Sequence, residues 1–166
     1  MFNGKPSAVG IINGMIAGLV GITPAAGYVD GWGALIIGVC AGIIPWFVMN
    51  RLQTTKFMSR VDDTLGVFST HGVAGLMGGL LTGVLVNPDM LVYLGTDKEA
   101  PGVSTTGWLY GNFPQFVLQV EAAAFIIVFN VVATFIILKV ISIFVSLRYD
   151  DKTLAIGDEA IHGELG

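Results

Sequence analysis

Charge is scarce in this chain. Asp, Glu, Lys and Arg make up 12% of its 166 residues, about half the share a soluble domain uses to solvate its surface. Apolar residues account for 54%, and the mean hydropathy is +0.77. A water-soluble fold is excluded on these grounds, and the chain reads as an integral membrane protein. Cysteine is nearly absent: Cys40 stands alone inside an apolar tract, which excludes a disulfide framework and a cysteine metal cluster. The net charge of −4 comes from scattered acids. No basic stripe suggests a nucleic-acid partner. Met1 to Ser7 lacks the charged start and short apolar core of a secretory signal. The alternation of a transmembrane barrel is missing as well, so helices are what satisfies the backbone in lipid.

The charge-free tracts set the expected architecture. A spanning helix needs about 20 apolar residues, and the length leaves room for four spans. The tract 7–28 is the first, with Pro24 and Gly27 disturbing its far end. Asp30 and Gly31 make a very short turn into the second, 31–50, which Arg51 closes. The third is 64–86, capped by Asp62 and Asp63 and ended by an Asn87-Pro88-Asp89 turn. Residues 90–114 read as a polar loop. The fourth span, 116–147, is interrupted by Glu121 and Lys139. At 1.5 Å per residue it reaches roughly 45–50 Å, beyond the ~30 Å hydrocarbon core. The expectation is all-α: a polytopic bundle over residues 1–149, then a polar tail over 150–166.

Lys and Arg set the orientation. Lys5, Arg51, Lys56, Arg60, Arg148 and Lys152 fall on one side and Lys98 on the other, so both termini and the 51–60 loop are expected in the cytoplasm. Trp32 and Trp108 suit interfacial anchors. Lys139 either snorkels or pairs with another helix. Glu121 and His162 are expected in solvent.

The third span carries the chemistry. Gly75, Gly79 and Gly83 recur every four residues, a small-residue stripe that admits a neighbouring helix. His71 stands four residues before Gly75 and is expected on that packed face, roughly 12 Å past the cap. An imidazole at that depth is expected to be neutral, able to donate and to accept. It either relays a proton or holds a small polar solute, or it only ties helices together. With no nucleophile, carboxylate or metal partner near it in the pattern, an enzyme is not expected, nor any cofactor or metal site.

These residues resemble a known family. Asp62 to Gly83 has the pattern D-D-T-L-G-V-F-x-T-H-G-V-A-G-L-x-G-G-L-L-T-G and is similar to the tenth transmembrane helix of ammonium transporters of the Amt/Mep/Rh family. Gly4 to Ala8 with Ile22 to Gly27 resembles the eighth helix. Leu147-Arg148 with Ile156 to Glu164 resembles the cytoplasmic C-terminus, in wording closest to the Mep-like branch. The resemblance implies part of an eleven-helix fold, a homotrimer with one pore per subunit, and a pore containing two facing histidines. His71 corresponds to the second of them. Phe68 and Thr23 correspond to positions near the cytoplasmic half of the pore. The implied partners are ammonium or ammonia, the bilayer of the plasma membrane, other copies or a missing N-terminal half, and a PII-type regulatory protein at the tail.

Other parts of the family pattern belong to helices outside this chain: the first pore histidine, the external aromatic site and the phenylalanine gate. The resemblance therefore implies a C-terminal fragment that cannot conduct alone. The alternatives are a split-transporter subunit, or a non-transporting scaffold or regulatory subunit.

Overall fold

A computed structural model describes residues 7–52, 55, 56, 58, 61, 63, 65–93, 105–157, 160 and 163. It is helical, with no strand among the described residues. Among the described residues, four helices are long and apolar enough to cross a bilayer. The described residues fall into two compact units, one up to Ala123 and one from Ala124 onward.

Helix α1 spans Ala8–Ile22. Ser7 caps it, its hydroxyl accepting from the Gly10 amide at 3.3 Å. Pro24 lacks an amide proton, so the chain tightens into a 3-10 turn over Thr23–Ala25. Helix α2 spans Gly31–Phe47 and relaxes into a π-helical turn over Val48–Leu52, just past Pro45. Its cap is Asp30, whose Oδ1 accepts from Gly33 N at 2.8 Å; the short turn expected there is a helix start. The third span opens with a π-helical turn over Phe68–Val73 and continues as α3, Ala74–Leu85.

Pro88 begins a helix rather than ending a turn. Helix α4 spans Pro88–Tyr93, with Asn87 Oδ1 accepting from Asp89 N at 2.9 Å; proline suits the first helical position because its missing donor is unpaired there anyway. A 3-10 turn over Trp108–Tyr110 follows. Helix α5 spans Phe113–Ile141, starting three residues before the expected 116 and stopping six short of 147. Beyond it the bonds shorten to three-residue spacing, Ile143 N to Val140 O and Phe144 N to Ile141 O. The tail is not featureless, since α6 spans Asp151–Ile156 under an Asp150 cap.

In the first unit α1 and α3 run parallel and pack directly on each other, with α2 antiparallel to both and touching each. The contacts fix the levels. Asn13 Nδ2 reaches Met49 Sδ at 3.6 Å, and Met49 also lies against Gly66. Higher up, Gly75 faces Val20, and Gly78 faces Gly21. At the far end Asn87 N donates to Tyr28 O at 2.8 Å. The core gathers there, with Ala25, Val29, Ile37 and Leu85 buried together.

Candidate functional site

Asp63 starts the third span. Its Oδ1 accepts from Val67 N at 2.8 Å and its Oδ2 from Phe68 N at 3.1 Å. One carboxylate thus satisfies two of the amides a helix start leaves open, and its charge opposes the positive end of the helix dipole. Asp62, the other expected cap, lies outside the described residues.

The helix begins near Val67 because Gly66 turns first, in the left-handed conformation at φ 67°. A Cβ there would approach Met49 Cε to 2.6 Å, which the flexible methionine end can relieve, so it is the left-handed conformation that calls for glycine. The late start does not leave His71 shallow. Gly66 sits level with Asn13, already well inside α1, and Gly75 sits level with Val20, so His71 lies level with the middle of α1.

The expectation that His71 is packed on the glycine stripe is corrected. His71 is exposed, whereas Thr70, Ala74, Gly78, Thr82 and Leu85 are buried. The packed stripe runs one residue before the expected one, a rotation of about 100° on a helix. The stripe residues also behave differently from one another. A Cβ on Gly75 would make ordinary contact with Val20 at 3.7 Å, and one on Gly79 meets nothing within 4 Å. Gly83 does mark a close approach, since a Cβ there would stand 2.7 Å from Gln119 Cγ and 3.1 Å from the Phe116 Cα of α5. The tightest crossing passes through a glycine outside the stripe: a Cβ on Gly78 would overlap the carbonyl of Gly21.

His71 lies on the π-helical turn, where Ala74 N bonds the carbonyls of both Ser69 and His71. Such widened turns recur at functional sites. Its Nδ1 is 2.9 Å from Thr70 Oγ1, and Thr70 Oγ1 is also 2.9 Å from Gly66 O. The Ser69 hydroxyl is fully buried and has no hydrogen-bond partner among the described residues. Phe68 is exposed one turn before His71, its ring 3.7 Å from where a Gly72 Cβ would stand.

Thr23 is exposed and donates to Leu19 O at 2.7 Å. It follows Gly21, which is level with Gly78, while Phe68 precedes His71. Thr23 and Phe68 therefore lie on opposite sides of His71 along the bundle, not in the same half as expected. The Thr70 hydroxyl and the Gly21–Gly78 crossing were not singled out by sequence reasoning. The signals were the Thr-His dipeptide and the glycine run 10, 14, 18, 21 on the first span.

Lys139 stands 5.7 Å over the Phe135 ring on its own helix, the pairing being local.

A model described as the Ammonium Transporter Family matches residues 1–166. The chain is 48% identical over 167 residues to "Ammonium transporter 3 member 2" of Oryza sativa subsp. japonica, covering 99% of this chain and 34% of that relative. It is 46% identical over 167 residues to "Ammonium transporter 2" of Arabidopsis thaliana, with coverage of 99% and 34%. The chain thus spans 34% of the length of each. Among solved structures, Mep2 of Saccharomyces cerevisiae superposes with a TM-score of 0.76 at 31% identity, over 89% of this chain and 31% of that one. Mep2 of Candida albicans gives 0.76 at 30% identity, over 96% and 35%.

Proposed function

We propose that this chain, which belongs to the ammonium transporter family, supplies part of the wall of a transmembrane ammonium pathway, with His71 facing the pathway. The observation that carries this reading is the exposure of an imidazole level with the middle of a membrane-spanning helix. A polar, titratable ring turned toward hydrocarbon is costly, and such residues face bundle interiors or watery cavities instead. The missing surroundings would come from helices beyond the 34% of the relatives that this chain spans.

Ammonium crossing a low-dielectric layer as a bare cation pays a large desolvation cost, whereas neutral ammonia pays little. An imidazole that accepts a hydrogen bond or a proton from ammonium lowers that cost. Phe68, one turn away, would line the same pathway, and Thr23 the opposite half. The reading extends to a chain corresponding to helices eight to eleven in the Mep-like branch, supported by the plant relatives and the Mep2 likeness. It places both termini in the cytoplasm of a plasma-membrane protein, on the Lys and Arg count. It further includes a trimer and a PII-type protein at the tail, supported by the tail's resemblance alone.

The four spans by themselves would not conduct, since one wall encloses no pathway. Liposomes holding the chain alone should show no ammonium uptake above lipid controls. Adding the polypeptide that carries the remaining helices should establish uptake, and His71→Ala should reduce it at least tenfold, the equivalent of about 1.4 kcal/mol. Uptake by the chain alone would overturn the wall reading; an unchanged His71→Ala complex would overturn the role of His71.

A further inference from the structure

We propose that the buried hydroxyl of Ser69 binds one ordered water molecule at the joint between the third span and α2. Ser69 and His71 are two residues apart and point to roughly opposite sides of the helix, so the site stands apart from the pathway reading.

Hydroxyls on these helices donate to the carbonyl four residues back. Thr23 does so to Leu19 O at 2.7 Å, Thr82 to Gly78 O at 2.8 Å and Thr70 to Gly66 O at 2.9 Å. The same bond from Ser69 would end on Leu65 O. Leu65 is exposed and lies outside the helix, ahead of Gly66, whose left-handed conformation turns the chain away. The carbonyl three residues back, Gly66 O, already accepts from the Thr70 amide at 2.9 Å as well as from the Thr70 hydroxyl. Both of its lone pairs are thereby used. Ser69 Oγ is left without a partner among the described residues, at 0% exposure. A buried hydroxyl in that position disfavours the fold, and interior water is the usual remedy.

The surroundings suit a water. The π-helical turn that carries Ser69 touches the π-helical turn of α2, Val48–Leu52. Widened turns offset carbonyls from their regular donors, and water inserts at such breaks. At the start of that turn the Val48 amide is shared between Ile44 O and Pro45 O. At the same joint Asn13 Nδ2 donates to the Met49 thioether at 3.6 Å, a weak acceptor. The water accepts from Ser69 Oγ and donates to a main-chain carbonyl of the Val48–Leu52 turn, tying the two widened turns together.

The test has two readouts. In the complete transporter, at a resolution that shows single waters, one peak of solvent density should stand about 2.5–3.0 Å from Ser69 Oγ. It should be gone in Ser69→Ala. Native chain and variants are also unfolded in the same detergent micelles. A hydroxyl satisfied by water loses a hydrogen bond in Ser69→Ala, so the folding constant should fall roughly 2- to 12-fold. Ser69→Cys, which keeps the bulk but donates weakly, should fall with it. Native density without the peak would overturn the site. So would Ser69→Ala as stable as the native chain or more so, because removing an unpaired buried hydroxyl is no loss. If the variants do not fold, the native density decides by itself.

Discussion

The carbonyl of Gly21 on α1 rests directly against Gly78 on α3, where any side chain would overlap it. A Cβ on Gly21 would in turn stand 2.9 Å from the Ala41 Cβ of α2, so three helices meet at one level. In lipid there is no hydrophobic drive between helices, and close backbone approach supplies the packing.

Gly78→Ala should therefore destabilise the bundle by at least about 1–3 kcal/mol, the range for overpacking. Gly79→Ala, at a position with open space, should be neutral or stabilising by about 0.5–1 kcal/mol through helix propensity. Unfolding of the two single variants in the same detergent micelles checks this contrast. Equal losses would contradict the offset of the packed stripe.

The Asp63 cap should be measurable as well. Asp63→Ala removes the acceptor for the Val67 and Phe68 amides and should cost about 0.5–2 kcal/mol. Asp63→Asn, which keeps one amide acceptor but not the charge, should cost less. Hydrogen exchange at Val67 and Phe68 locates the effect, with faster exchange in Asp63→Ala than in the native chain.

At the opposite end, Asn87 Nδ2 donates to Asp30 Oδ2 at 3.2 Å while Asp30 Oδ1 caps α2. A double-mutant cycle should return a coupling of about 0.5–1.5 kcal/mol for the pair, the usual net value of one hydrogen bond. Each single loss should exceed the coupling, because Asp30→Ala also removes the α2 cap and Asn87→Ala also removes the acceptor for Asp89 N. Additive single losses would deny the pair.

The tail helix should respond to acid. Hydrogen bonds from Thr153, its side chain first and then its amide, hold the Asp150 carboxyl below its ordinary value of 3.8. The folded value being depressed, the cap is fully formed above pH 3.8 and is lost as the pH falls through the lower folded value. The Thr153 amide, donating to Asp150 Oδ1 at 2.7 Å, should show a chemical-shift transition centred below 3.8. It should be absent in Asp150→Asn.

Much of this was legible in the residues. Three charge-free tracts and one long apolar stretch holding only Glu121 and Lys139 marked the four spans, because charge is costly in lipid. Asp63 announced itself as a cap because a carboxylate before an apolar run has few other uses. The ends were less legible. Ile141 and the residues after it are equally apolar, so hydropathy did not mark where α5 stops. Pro88 suits a turn and a first helical position alike, and only the Asn87 contacts decided between them.

The residues by themselves determined which segments enter the membrane and that a histidine lies among them, since both follow from the cost of burying polar groups. Tertiary structure decided which face of the third span is packed. Lipid is as apolar as a neighbouring helix, so a span carries little periodic signal for its inner face. Contacts between helices, the closest of them Gly78 against Gly21, set the rotation that buries Thr70 and leaves His71 exposed.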